Sequence, residues 1–267
     1  MNDRVRVEIR GHLGLVALTR PDKHNGMDFP MLDAVTAAAR RLGRDRTVRA
    51  IILHGEGPSF CAGLDVKAVF GDRRAALAGF AALCSPVRNR FQEWSMAWRD
   101  LPVPVIAAIH GNCLGAGIQL ALGADIRIAT PDAKVSVMEA RWGLVPDMGG
   151  PALLRELVGI DVAKELAMTG RVVTGTEALA MRLVSHVSAN PLDHAQALAE
   201  EIATRSPDAV AAAKFLLQEA WHGSERRALA AERRWQRRVI GRGNQRIAVR
   251  RNLDKSEQPY LPRRLGN

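Results

Sequence analysis

The same transition occurs twice in this chain. In "VRAIILHGEGPSFCAGLD", and again in "PVIAAIHGNCLGAGIQL", a short apolar run breaks into glycine-rich turns that lead to a helical segment. A β-branched run of this length between turn signals reads as a buried strand. Each turn presents backbone N–H groups where the chain bends into a helix. Two such groups converging on one carbonyl oxygen form an oxyanion hole, which stabilises an enolate or a tetrahedral anion. One turn alone is a weak signal. Both together, followed by "MEARWGLVPDMGG" at 138–150 with its carboxylates Glu139 and Asp147, form an ordered set.

Strands and helices alternate around these turns. Residues 5–9 and 13–19 read as a strand pair divided by Gly11, and Asp28 is placed to cap a helix over 30–42 with Pro30 in its first turn. A long helical stretch over 74–98 breaks near Pro86, and a helix over 115–122 follows the second glycine turn. "ADIRIAT" and "AKVSV" are strands, and short helices cover 149–157, 161–168 and 177–181. Ser206 caps a further helix with Pro207 at its first position, and nearly everything beyond it is helical until the extended "EQPYLPRRLGN". The expectation is an α/β core over 1–205, a size one domain can reach, with a helical region over 206–267.

Composition narrows the class. The 267 residues are 47% hydrophobic and 25% charged, enough to bury a full core. The most apolar stretch, 103–129, is interrupted by His110, Asn112, Gln119 and Asp125, which argues against a membrane span. The N-terminal "MNDRVRVEIR" carries charge where a signal peptide needs an apolar run. Three scattered cysteines, Cys61, Cys84 and Cys113, form no disulfide framework. A reduced, cytoplasmic protein without membrane contact is expected. The net charge of +10 attracts polyanions, and much of the excess sits in paired arginines after Arg226, read as the solvated face of C-terminal helices.

Other chemistries find little support. "GNCLGAG" matches a dinucleotide fingerprint by letter only. A short-chain dehydrogenase needs Tyr and Lys four residues apart, whereas Tyr260 is the single tyrosine and has Arg264 at that spacing. No GxSxG elbow, HExxH or clustered His/Cys pair is present, so no metal is expected. His110, beside Gly111, reads as a hydrogen-bonded core histidine at a strand end rather than a catalytic one, and the cysteines as structural.

Taken together, "LTRPDKHNGMD", "RAIILHGEGPSFCAGLDVK", "PVIAAIHGNCLGAGIQLALGADIRIAT", "WGLVPDMGG", "AKELAMTGRVVTGTEALAMRLV" and "NQRIAVRRNLDK" resemble the crotonase (enoyl-CoA hydratase/isomerase) superfamily over nearly the whole chain. The resemblance implies a ClpP/crotonase-like spiral of ββα units with a C-terminal helical region that serves oligomerisation and closes the coenzyme A pocket. It implies a homotrimer or dimer of trimers acting on an acyl-CoA thioester, with no separate cofactor, since coenzyme A is part of the substrate. By motif position, Leu64 and Ala116 supply the hole, Gly63, Gly115 and Gln119 line the site, and Glu139 and Asp147 are the proton carriers. Lys23, Ala62 and Asp65 border the coenzyme A, and Tyr260 and Arg263 resemble a tail element that can meet its phosphates, in the same chain or across a subunit boundary.

The chain departs from a typical hydratase at two places. Gln119 stands where such enzymes carry a glutamate, and an amide is no acid or base at neutral pH. Asp147 stands where they have glycine, which is similar to dienoyl-CoA isomerases, although those generally carry an aspartate at the position of Gln119. The expectation is therefore an enzyme that shifts double bonds, with a hydratase as the alternative. A non-catalytic or RNA-binding homologue is a third reading. It is disfavoured because no dense basic comb interleaved with aromatics is seen on one helix. Asp147 has a structural alternative of its own, as a cap for the helix after it.

Overall fold

The computed structural model describes residues 3–71 and 79–266. Six strands form the main sheet: β1 (Val5–Arg10), β2 (Leu13–Leu18), β3 (Ala50–Gly55), β4 (Val105–Ile109), β6 (Ile126–Ala129) and β8 (His186–Val187), in the order β1-β2-β3-β4-β6-β8. Only β1 and β2 pair antiparallel, around the turn at Gly11; the other four pairings are parallel. A second, two-stranded parallel sheet joins β5 (Asn112–Leu114) to β7 (Lys134–Ser136).

The apolar runs of β3 and β4 are explained by burial on both sides. Ile51 and Leu53 of β3, with Val105, Ala107 and Ile109 of β4, face the larger core, which includes helix α1 (Phe29–Arg44). Their neighbours Ala50, Ile52, Ile106 and Ala108 face a smaller core closed by Ala195 and Ala199. These two alanines lie on helix α8 (Pro191–Ala203), four residues apart and therefore on one face. Strand alternation thus divides one apolar run between two layers, each fully buried Ile or Leu contributing about 1.5–3 kcal/mol.

The local signals act as expected. Asp28 accepts from the Met31 N–H at the start of α1, 2.9 Å. Helix α4 (Ala116–Leu122) begins at the second glycine turn. Ser206 caps α9 (Pro207–Ala220), followed by α10 (Glu225–Val239) and α11 (Gly243–Leu253). The arginines of α10 are exposed, and Arg234 pairs with Glu219. Part of the expected helix over 74–98 lies outside the described residues. Its remainder breaks around Pro86 and resumes as α3 (Glu93–Arg99), where Trp94 and Trp98 are buried in the core. Among the described residues no helix is long and apolar enough to cross a membrane.

Candidate active site

The two glycine turns are bonded to each other. The Cys61 N–H donates to Asn112 O at 2.9 Å and the Leu114 N–H to Cys61 O at 3.0 Å, so the 61–64 segment lies parallel along β5 with Cys61 opposite Cys113. Burial pushes the Cys61 thiol up to about 12 and the Cys113 thiol well above its usual value, in keeping with structural roles.

On its other edge the 61–65 segment is held by Met27, whose N–H donates to Gly63 O at 2.7 Å and whose carbonyl accepts from the Asp65 N–H at 2.9 Å. Successive N–H groups of an extended chain point to opposite edges, which turns the Leu64 N–H away from Met27 and towards the second turn. There the Leu114 N–H is spent on Cys61 and the Gly115 N–H on Ser136 O, at 2.8 Å. The next N–H, that of Ala116, opens α4 and has no helical partner. Among the described residues nothing accepts from the N–H of Leu64 or of Ala116. Two glycines make the approach possible. Gly63 has φ +97°, and a Cβ there would lie 2.8 Å from Leu114 O and 3.8 Å from the Ala116 nitrogen. Gly115 adopts φ +51° and ψ −114°, a conformation costly for a residue with a side chain.

Strand β7, paired to β5, carries the chain on to Glu139, the first residue of a short 3-10 turn ending at Trp142. A Cβ on Gly115 would lie 3.5 Å from Glu139 Oε1, which places the carboxylate beside the hole. Gln119, one turn into α4 and 1% exposed, donates from Nε2 to Glu139 Oε1 at 2.6 Å. Glu139 Oε2 is buried and has no partner among the described residues. Burial raises the Glu139 carboxyl above the usual glutamate value. Its own N–H and the Gln119 amide oppose that rise, and the nearby negative charge of Asp147 adds to it.

Asp147 lies within electrostatic reach of Glu139 and caps nothing. Helix α5 (Gly150–Leu154) starts after Gly149, at φ +87°, without a side-chain cap, so the helix-cap alternative for Asp147 is overturned. The residue is exposed on one side of the single chain, while protein atoms crowding its other side still push its carboxyl above the ordinary aspartate value.

The other expected site residues divide into two groups. Lys23, Ala62 and Asp65 gather on one flank of the first turn. The Ala62 N–H donates to the carbonyl of His24, next to Lys23, at 2.9 Å, and Asp65 both caps α2 (Val66–Phe70) and pairs with Arg20 at 3.1 Å. Tyr260 and Arg263 are not brought to this flank within the chain. The Arg263 guanidinium is buried against the carbonyls of Gly43 and Asp45, at the end of α1 opposite Asp28, and the Tyr260 ring lies beneath Arg49 and Arg251. His110 binds Gly57 O at 2.9 Å, which is the expected hydrogen bond, but the contact is exposed rather than in the core. Two supports had no sequence signal. Trp94 Nε1 donates to Ala116 O at 2.7 Å, and Ser95 Oγ donates to Met148 O at 2.5 Å. Both bind across more than twenty residues, beyond the reach of any local pattern.

Residues 8–261 match the family described as enoyl-CoA hydratase/isomerase. The chain belongs to that family. Within it, the chain is 33% identical over 265 residues to YngF of Bacillus subtilis, covering 97% of this chain and 99% of that protein. It is 35% identical over 214 residues to the human mitochondrial Delta(3,5)-Delta(2,4)-dienoyl-CoA isomerase, covering 77% of this chain and 65% of that protein. It is 34% identical over 218 residues to the enoyl-CoA hydratase EchA19 of Mycobacterium tuberculosis, covering 77% of each. The fold is the crotonase fold: the structure of Pseudomonas aeruginosa DspI superposes with a TM-score of 0.86 at 32% identity, covering 97% of both chains. Relatives named for isomerisation and for hydration therefore sit at similar distances from this chain.

Proposed function

We propose that the protein shifts double bonds along an enoyl- or dienoyl-CoA thioester. The thioester oxygen sits between the N–H groups of Leu64 and Ala116, and the coenzyme A runs past Lys23, Ala62 and Asp65. Glu139, ionised, takes a proton from the acyl chain. The electron pair left behind moves through the conjugated chain onto the thioester oxygen as an enolate, where each N–H donor contributes on the order of 3 kcal/mol. Asp147, whose carboxyl burial shifts towards holding its proton, returns a proton at a more distant carbon from its protonated fraction. Exchange with water then resets both acids. The observation that carries this reading is geometric: the Gln119 amide donates to Glu139 at 2.6 Å and accepts from the N–H groups of Met148 and Gly150, just after Asp147, so an amide rather than a second acid joins the two carboxyl-bearing segments.

Hydration of a 2-enoyl-CoA with Glu139 is the second reading, supported by the relative named as a hydratase. Incubation with crotonyl-CoA, a 3-enoyl-CoA and a 3,5-dienoyl-CoA, followed by the absorbance of the conjugated thioester, separates the two. Isomerisation that falls at least tenfold in Asp147→Asn supports the proposal. Brisk hydration of crotonyl-CoA that survives Asp147→Asn overturns it. Turnover of none of these, with an RNA shift at moderate salt, overturns the enzyme reading as well. By family resemblance the working form is a trimer or a dimer of trimers, which sedimentation measures directly.

A further inference from the structure

Gln119 does more than line the site. Its Oε1 accepts from two backbone N–H groups, Met148 at 2.9 Å and Gly150 at 3.1 Å. With the carbonyl side committed to two donors, the NH2 side necessarily faces Glu139, and it donates to Oε1 at 2.6 Å. The fit is tight: a Cβ on Gly150 would come within 2.6 Å of Gln119 Oε1. Glu139 Oε2, meanwhile, is buried without a partner among the described residues. A buried carboxylate oxygen left bare is costly unless a ligand uses it.

We infer that Gln119 is a positioning residue that holds Glu139 by one oxygen, leaves Oε2 as the oxygen that exchanges protons, and ties the loop carrying Asp147 to the same amide. One side chain thereby registers both proton carriers against each other, since Met148 and Gly150 follow Asp147 within three positions in the chain. The amide also sets the charge of the site. A glutamate at 119 puts a carboxylate oxygen about 2.6 Å from Glu139 Oε1, and two carboxylates that close share a proton. With glutamine, Glu139 has no carboxylate directly against it, and its remaining charged neighbour is Asp147. This inference rests on the double-bond shift proposed above, because it assigns that reaction's selectivity over water addition to the amide.

The test compares wild type, Gln119→Leu and Gln119→Glu. One arm titrates the Glu139 carboxyl by NMR in protein labelled with 13Cδ-glutamate, the signal being assigned by its loss in Glu139→Gln. This arm needs no substrate. The other arm measures kcat, KM and the pH profile of isomerisation. Gln119→Leu should raise the Glu139 midpoint, because a hydrogen bond to the ionised form is lost, and should move the acid limb of the profile up with it. It should lower kcat by about 10–100-fold while KM stays within about threefold. Gln119→Glu keeps the acceptor for Met148 and Gly150, so it tests the idea even if the leucine variant is unstable. Its Glu139 signal should titrate in two steps, as a coupled pair does, and its isomerisation-to-hydration ratio should fall. A Glu139 midpoint unmoved in Gln119→Leu, or a single unshifted step in Gln119→Glu, overturns the positioning role. Wild-type protein that turns over no enoyl-CoA overturns the proposed reaction, and the NMR arm still decides the positioning role.

Discussion

Glu139 is held so that its two carboxylate oxygens differ, one bound by an amide and one bare. That asymmetry makes its ionisation measurable in two ways. In its proposed role as base it works only when ionised, so the rate should rise with pH along a limb displaced above the ordinary glutamate range, in the direction of its raised pKa. Glu139→Gln should lower kcat on the order of 10²–10⁴-fold and abolish that limb. Its effect on stability has the opposite sign. A carboxyl whose pKa is higher folded than unfolded binds its proton more tightly in the native chain, so stability falls as pH rises from the unfolded to the folded value. Glu139→Gln removes that loss, and its Tm should exceed that of wild type at pH 8 and match it near pH 4. Both carboxylates were legible in the sequence as candidates. What Asp147 does not do was not legible, because a Gly-Gly pair after an acid reads equally well as a helix start. Only the left-handed φ of Gly149 removes the cap. The clamp by Gln119 was invisible for another reason: its partners lie 20, 29 and 31 residues downstream.

At the scale of elements, the site is a junction of two strand–turn–helix units whose N–H groups are left over once the ladders are complete. Gly63 is one of the close points of that junction, where an added Cβ would lie 2.8 Å from Leu114 O. Gly63→Ala should cost about 1–3 kcal/mol in chemical denaturation, from overpacking and the positive φ. It should also reduce kcat more than KM, because the displaced Leu64 N–H meets the enolate more than the ground state. Ser206→Ala, far from the site, should cost about 1 kcal/mol with kcat unchanged, as loss of an N-cap does. Caps, turns and strands of this kind were readable because each is fixed by residues within a few positions. The two-residue strand β8 was missed because so short a segment carries no periodicity, and its pairing to β6 defines it. Trp94 and Trp98 belong to the core because α3 packs that face on α1 and α4.

For the whole molecule, the helical C-terminal region is fastened to the α/β layers by a buried cation. Lys214 of α9 bonds Asp125 at 2.8 Å and the carbonyl of Val103 at 3.0 Å. Lys214→Ala should cost about 3 kcal/mol in urea unfolding, since it strands these acceptors. The charge of +10 should draw in a polyanionic acyl-CoA, so raising ionic strength from 20 to 200 mM should increase KM severalfold with little change in kcat. By itself the sequence determined the strand–turn–helix order, the two glycine turns and the presence of an amide where a second acid is otherwise found. These follow from local stereochemistry and from which residue types can carry a proton. Tertiary structure alone decided that the N–H groups of Leu64 and Ala116, on adjoining turns, stay unpaired among the described residues, that Glu139 lies buried with one oxygen bare among them, and that Tyr260 and Arg263 pack away from the first turn within the chain. Each depends on contacts between segments distant in sequence, where packing and desolvation, rather than residue type, set the outcome.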